Sequence, residues 1–349
     1  MYIPIYILFG CYYFMGEMVT NNQLEKVLGE MDYLIKYYRK HCSVEDKKYS
    51  SAYDLLLRSE FKAVVTRINV DVDKAAEPIL LQQNRPGRPP TDKILTTKML
   101  LLQQIFGFPN RLMEGFSTMF LLKGGETISY KTIERAYADP VVEIILHNLF
   151  VMSAGKPREV SSSADGTGIA LNIFKHYQTD RVNDLKDEKD TNKRKKQYLF
   201  SVAILDLDTN KYIGYAAGFK SEKQLFVEAL EIAKKQGFVF KQICLDKYYS
   251  YQSIFHCVGK ETKVIVIPKC NATIRGPKEW KHMVRELIID PLKYLAIYYQ
   301  RTKSESNFSR DKRRHGQIRQ RIPERQVIAA LTRAILHNFS AEHLKIGPL

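Results

Sequence analysis

At 349 residues and 40.5 kDa, the chain has room for two domains, or for one large domain with an appendage. Hydrophobic residues make up 45% and charged residues 26%, the mix of a globular protein that buries its own core, which excludes collagen-like, low-complexity and wholly disordered chains. Lys and Arg total 54 against 38 Asp and Glu, a net charge of +16 with a pI near 9.4; a surplus of that size calls for a polyanionic partner, nucleic acid first.

Five cysteines (Cys11, Cys42, Cys244, Cys257, Cys270) form no CxxC pair and are odd in number, which argues against a zinc framework and an oxidising compartment. The apolar stretch Met1 to Gly16 is shorter than the roughly 20 residues a spanning helix needs. Pro4 breaks it and no basic lead precedes it, so neither a membrane span nor a signal peptide is expected. A buried N-terminal segment fits, as does a mis-start upstream of Met15 or Met18, and the expected location is cytoplasmic.

Apolar residues at helical spacing predict a helix over Asn21 to Arg39 and another over Ser51 to Arg67. The run Asn84 to Pro90, NRPGRPP, can be neither helix nor central strand. It reads as a stiff linker whose Arg85 and Arg88 could touch phosphates. Thr91 or Asp92 then caps a helix to Phe106 that Gly107 ends, and Ser129 starts another. The segment 1–83 is a helical region, and 84–157 is a helical region suited to DNA binding, although any small helical bundle shows the same pattern.

Near residue 158 the texture turns to strands, opening a second part over 158–340. Glu159 to Leu171, Gln197 to Asp206, Lys211 to Phe219, Lys241 to Asp246 and Lys263 to Lys269 are predicted strands, the second and third joined through Asp208-Thr-Asn210. Between the first two lies a charged loop, Phe174 to Lys196, ending in KRKK. Ser221 and Gln224 make a capping box for a helix that Gly237 stops. Tyr251 to Gly259 reads as helix, Pro291 to Gly316 as one long helix capped by Asp290, and Glu324 to Phe339 as a core-closing helix. Trp280 is expected to be a packing anchor. This order predicts an α/β fold, a mixed sheet with helices on its faces.

Three acids are the candidates for chemistry. Asp165 and Asp246 are expected at strand ends, where paired carboxylates can share a divalent cation. Taken singly, each is an ordinary turn or cap residue. On the long helix, Tyr298, Arg301, Glu305 and Lys312 fall in one arc roughly 60° wide at about 100° per residue. The plain reading is a solvated face with an Arg301–Glu305 pair. The functional reading is a carboxylate holding a metal, flanked by cations that hold phosphate.

The spacing Y-x2-R-x3-E-x6-K at these four residues resembles the signature of a large group of DDE-type insertion-sequence transposases. Asp165 in SSSADGTG and Asp246 in CLDKYYSY resemble that group's first and second acids. The resemblance spans roughly residues 84 to 340, including GRPP before a helix; nothing before Lys74 shares it. It implies an RNase H-like core, a five-stranded mixed sheet flanked by helices, behind a helical N-terminal DNA-binding region. It implies two Mg2+ ions, with Mn2+ as a substitute, held by Asp165, Asp246 and Glu305, which cut double-stranded DNA at element ends and promote attack of the freed 3′-OH on target DNA. It further implies phosphate contacts by Tyr298, Arg301 and Lys312, a homodimer on DNA, no membrane, and association with the nucleoid. One departure is that Asp246 and Glu305 lie only 59 positions apart, so the β-rich insertion that many relatives carry there is small or absent.

The segment Cys270 to Leu349 holds 16 Lys and Arg against 7 Asp and Glu. Its one-signed run, with Lys312, Arg313 and Arg314 just past Glu305, is expected on the DNA backbone. Two rivals stay open: an RNase H-like nuclease or resolvase that cuts without joining, and a DNA-binding protein that has lost catalysis.

Overall fold

A computed structural model describes residues 19–41, 51–79, 91–120, 128–172, 198–259 and 261–344. The expectations for Met1 to Gly16, Asn84 to Pro90 with Arg85 and Arg88, and Phe174 to Lys196 lie outside the described residues.

The first expected helix is two, α1 (Asn21–Gly29) and α2 (Met31–His41). Thr20 and Gln23 form a capping box at its start, and Gly29, a poor helix former, precedes the break at Glu30. Helix α3 (Ser51–Ala76) runs past Arg67 because Ile68, Val72 and Ala75 continue its buried face. Asp92 caps α4 (Lys93–Phe106) by accepting from the Ile94 and Leu95 N–H groups, and Gly107 ends it at φ +64°. Helices α5 (Asn110–Phe120), α6 (Tyr130–Ala136) and α7 (Pro140–Ala154) follow, α6 capped by Ser129 and α7 by Asp139.

The sheet comprises β1 (Glu159–Ala170), β2 (Tyr198–Asp206), β3 (Tyr212–Gly218), β4 (Val239–Leu245) and β5 (Lys263–Ile265) in the order β3-β2-β1-β4-β5. β1 pairs antiparallel with β2 and parallel with β4, so the sheet is mixed as expected. Between β3 and β4 runs α8 (Glu222–Lys235), with the predicted Ser221–Gln224 capping box. Gly214 lets α8 lie against β3: a Cβ there would stand 2.3 Å from the Ala229 carbonyl oxygen. After β4 come α9 (Ile254–Val258) and, beyond β5, α10 (Lys278–Ile289), which occupies most of the stretch in which no long insertion was expected. Trp280 is an anchor: its ring is buried and its Nε1 donates to the Thr273 carbonyl at 2.8 Å. β5 stops four residues short of Lys269 because the Tyr294 hydroxyl serves both the N–H and the carbonyl of Val266, each at 2.9 Å.

Alternation along β2 sorts the two faces. Leu199, Ala203 and Leu205 join a cluster with α3, α4, α6, α7 and the closing helix α13 (Pro323–Leu344). Val202 and Ile204 point the other way, into a cluster with α1, α2, α8 and α10. The helices before residue 158 therefore share their core with the sheet. α13 is buried on all sides, and its Asn338 completes the backbone pairing of edge strand β3 by accepting from the Tyr212 N–H and donating to its carbonyl.

The long helix expected over Pro291 to Gly316 is broken. α11 (Pro291–Tyr298), capped by Asp290, gives way to a 3₁₀ turn, Tyr299–Arg301, and then to α12 (Thr302–His315). The break lies where adjacent rings need different partners. Tyr298 packs into the core, while Tyr299 stacks on Tyr38 of α2 at 5.0 Å. A 3₁₀ turn advances about 20° more per residue than an α-helix. The four signature residues are thus spread from buried to exposed.

Candidate functional site

β1 outruns β4. Its ladder with β4 ends at the Ala164–Leu245 pair, whereas its ladder with β2 continues through Asp165–Ala203 to Ala170–Tyr198. Asp165 is therefore not at the end of its strand, as the sequence suggested, but at the end of one of its two ladders. Asp246 directly follows β4 and so stands one strand over, at a spacing of about 4.8 Å between neighbouring strands. Asp246 precedes a 3₁₀ turn, Lys247–Tyr249, yet its carboxylate makes no capping hydrogen bond, so the plain reading as a cap does not hold for its side chain.

Glu305 comes from the first turn of α12. Ser304 beside it is buried against Ser163 of β1, hydroxyl to hydroxyl, and the Cys244 thiol contacts the Ile297 carbonyl at 3.5 Å. These contacts pin the α11–α12 junction over the last pairs of the β1–β4 ladder.

Arg301 sits at the centre. One guanidinium nitrogen lies 3.3 Å from Asp246 Oδ1 and the other 2.9 Å from Glu305 Oε1. Its carbon stands 5.2 Å from the centroid of the Tyr298 ring, and its Nε is buried without a partner among the described residues. Tyr298, only 4% exposed, is thus a platform under the guanidinium, and burial pushes its phenol up to about 12. The Arg301–Glu305 pair expected of a solvated helix exists, but the same guanidinium also reaches another element.

Asp165 has no ion-pair partner among the described residues; its Oδ1 accepts from the Gly166 N–H at 2.9 Å. Burial, with added repulsion from Glu305 and Asp246, pushes its pKa up to about 6 although Arg301 draws it down. Three carboxylates thus share one guanidinium, two paired with it and the third pushed up in their company. Among the described residues, no three His, Cys, Asp or Glu side chains are gathered closely enough to hold a metal ion as they stand, and Arg301 lies between Asp246 and Glu305. The donor set still fits a hard divalent cation: all oxygen, anionic, and short of positive charge by two.

A fourth acid, Glu222, is not among the residues the sequence pointed to. Its carboxylate abuts the residue after Asp165: a Cβ on Gly166 would stand 2.4 Å from Glu222 Oε1. The buried Tyr249 hydroxyl donates to the same oxygen at 2.8 Å. The available signals were a glycine directly after Asp165 and an acid directly after a capping serine.

The basic residues divide. Lys312 and Arg313 are exposed on α12. Arg314 turns inward and donates to both oxygens of buried Glu60, at 2.8 and 2.7 Å, and to Ser340. Its expected place on DNA is corrected to a brace between α12, α3 and α13. Adjacent helical residues point about 100° apart, which separates Arg313 from Arg314.

No protein-family model matches the chain. Over 331 residues the chain is 34% identical to an Archaeoglobus fulgidus protein described as a probable transposase for insertion sequence element ISA1214, an alignment that covers 94% of this chain and 98% of that protein. Among the described residues, no helix is long and apolar enough to cross a membrane.

Proposed function

This chain belongs to the insertion-sequence transposases, and from that membership we propose that it is a DDE-type enzyme with an RNase H-like core, cutting double-stranded DNA at the ends of a mobile element and joining them to target DNA. One observation carries the reading. Asp246 and Glu305, 59 positions apart in sequence, both pair with the guanidinium of Arg301, and Asp165, 81 positions before Asp246, lies within electrostatic reach of all three. The five-stranded mixed sheet with helices on both faces supports the same fold.

The three carboxylates would hold two Mg2+ ions, or Mn2+ in their place; when bound, such ions supply an activated water and neutralise charge at the cleaved phosphodiester. The protein's own side chains do the rest. Asp165, whose pKa of about 6 leaves it largely ionised near neutral pH, would supply one of these carboxylates. With the charge of Asp246 and Glu305 taken up in this way, Arg301 would be free to donate to phosphate oxygens from the Tyr298 platform. Lys312, two turns of α12 beyond Glu305, neutralises the adjoining backbone. The 84–157 helices would read the duplex, and bringing two element ends together implies a pair of copies on the DNA.

The test uses duplexes carrying the element's own ends. With Mg2+ the wild type is expected to nick them, and to join pre-cut ends to a plasmid. Cutting without joining would favour the nuclease alternative, and undiminished activity in excess chelator would overturn the metal site.

The two neighbouring arginines should separate. Arg314→Ala is expected to cost about 3 kcal/mol of stability, because it leaves Glu60 buried and unpaired. Arg313→Ala should leave stability unchanged and lower the salt slope of DNA binding by about one. Urea unfolding and a salt titration of affinity check both.

A further inference from the structure

Helix α2 belongs to the stretch before Lys74, yet it packs against α11, the helix that leads into Arg301. Its inner face is apolar: Met31 and Leu34 are buried in the cluster that also holds Tyr294, Leu295 and Tyr298. Its last turn adds contacts of another kind. The Tyr38 ring lies flat on Tyr299, with centroids 5.0 Å apart and planes 7° from parallel, and the Arg39 guanidinium carbon stands 5.7 Å from the centre of the same ring. Two consecutive residues of α2 thus hold Tyr299 from outside.

Tyr299 is the first residue of the 3₁₀ turn Tyr299–Arg301. From it the contacts continue inward. Tyr299 meets Tyr298 edge to face, centroids 5.6 Å apart and planes at 77°, and the Arg301 guanidinium lies 5.2 Å from the centre of the Tyr298 ring. That guanidinium pairs with Asp246 and Glu305. A line of contact therefore runs from α2 to two of the three acids through Tyr38, Tyr299, Tyr298 and Arg301.

The type of turn decides where the guanidinium goes. In a 3₁₀ turn side chains three residues apart eclipse one another, whereas in an α-helix they stand about 60° apart. Tyr298 and Arg301 are three apart, so the 3₁₀ form brings the guanidinium over the ring and a continued α-helix would carry it off. The 3₁₀ form has the poorer hydrogen bonds, and no proline or glycine between Leu292 and His315 breaks the helix there. A contact from outside has to hold the turn. Tyr298 is fixed by the core before it and Ser304 by Ser163 after it, which leaves Tyr299 as the position for α2 to set. Arg301 gains little hold of its own, since its Nε is buried without a partner among the described residues.

We propose that Tyr38 is a positioning residue for DNA cleavage: stacked on Tyr299, it holds the 3₁₀ turn that places Arg301 over Tyr298 and between Asp246 and Glu305. The inference rests on the reading of Asp165, Asp246 and Glu305 as the cleavage site, and it makes α2 part of that site's frame. The plain alternative is that Tyr38 only fastens α2 to the body of the protein.

The experiment compares full-length Tyr38→Leu, which stays apolar but loses the flat ring, with Tyr38→Phe, which keeps the ring. With a saturating end duplex and Mg2+, single-turnover cleavage is expected to fall about tenfold in Tyr38→Leu and to return to the wild-type rate in Tyr38→Phe, with DNA affinity nearly unchanged in both. A second readout needs neither metal nor DNA: labelling with phenylglyoxal, followed by mass spectrometry of the peptides. Arg301 should be labelled faster in Tyr38→Leu than in the wild type or Tyr38→Phe, while Arg333, buried elsewhere, keeps its rate. Tyr299→Leu removes the other half of the stack and should reproduce both effects, which covers the case of a Tyr38→Leu variant that does not fold. Unchanged labelling of Arg301 in the leucine variants overturns the proposal, and a lowered melting temperature as their sole effect makes Tyr38 a fastener of α2; either result leaves the cleavage site standing. A wild type that cuts no end DNA with Mg2+ overturns the reading of that site and the proposal with it.

Discussion

Replacing Asp165 by Asn is expected to abolish DNA cleavage and, at the same time, to make the protein more stable. The carboxylate is part-buried, has no cation of its own among the described residues, and faces Asp246 and Glu305, so its pKa rises to about 6. Unfolded, it titrates at about 4. The folded state therefore holds the proton more tightly, and stability declines as pH rises from about 4 to about 6, with the full loss present above that. Asn keeps an oxygen for the Gly166 N–H and carries no charge. Allowing for the solvent that reaches the group, the gain near neutral pH is about 1–2 kcal/mol, a rise of a few degrees in Tm. Melting curves across this pH range should slope for the wild type and flatten for Asp165→Asn. Mg2+ should raise the wild-type Tm and leave the variant unmoved. A variant that melts lower and still cuts DNA would make Asp165 a structural residue.

That expectation depends on a site only partly readable in the sequence. The Ser221–Gln224 capping box and the hairpin through Asp208-Thr-Asn210 are local, and they lie where the sequence placed them. What escaped was decided by distant partners. The 3₁₀ turn before α12 depends on Tyr38 and the core competing for adjacent tyrosines. Asp165 looked like a strand end because nothing local says that β1 outruns β4. Glu222 could be recognised only once α8 was known to cross over Gly166. Arg313 and Arg314 are the same residue type side by side, and only the position of Glu60, 254 residues before Arg314, tells them apart.

Glu305→Gln is expected to lower cleavage by a thousandfold or more while leaving both fold and DNA affinity nearly unchanged, an effect on the order of that seen when a group stabilising transition-state charge is lost. The two readings of Glu305 differ sharply in magnitude. As half of an i,i+4 pair with Arg301, half-exposed at 50%, it is worth only about 0.3–0.5 kcal/mol, and its loss would slow nothing. As a metal ligand it is needed for the water and the leaving oxygen alike. Glutamine keeps the length and a hydrogen-bond acceptor for Arg301 but loses the charge, so the helix pair survives in weakened form while cation binding fails. Because Glu305 has no partner other than Arg301 among the described residues and stands at the start of α12, the substitution has little else to disturb. Single-turnover cleavage, filter binding to the same end duplex, and Mn2+ titration followed by electron paramagnetic resonance separate the possibilities. Cleavage within tenfold of the wild type would return Glu305 to the role of a surface ion pair. Loss of DNA binding together with cleavage would mean that the carboxylate acts through the position of Arg301 and not through a cation.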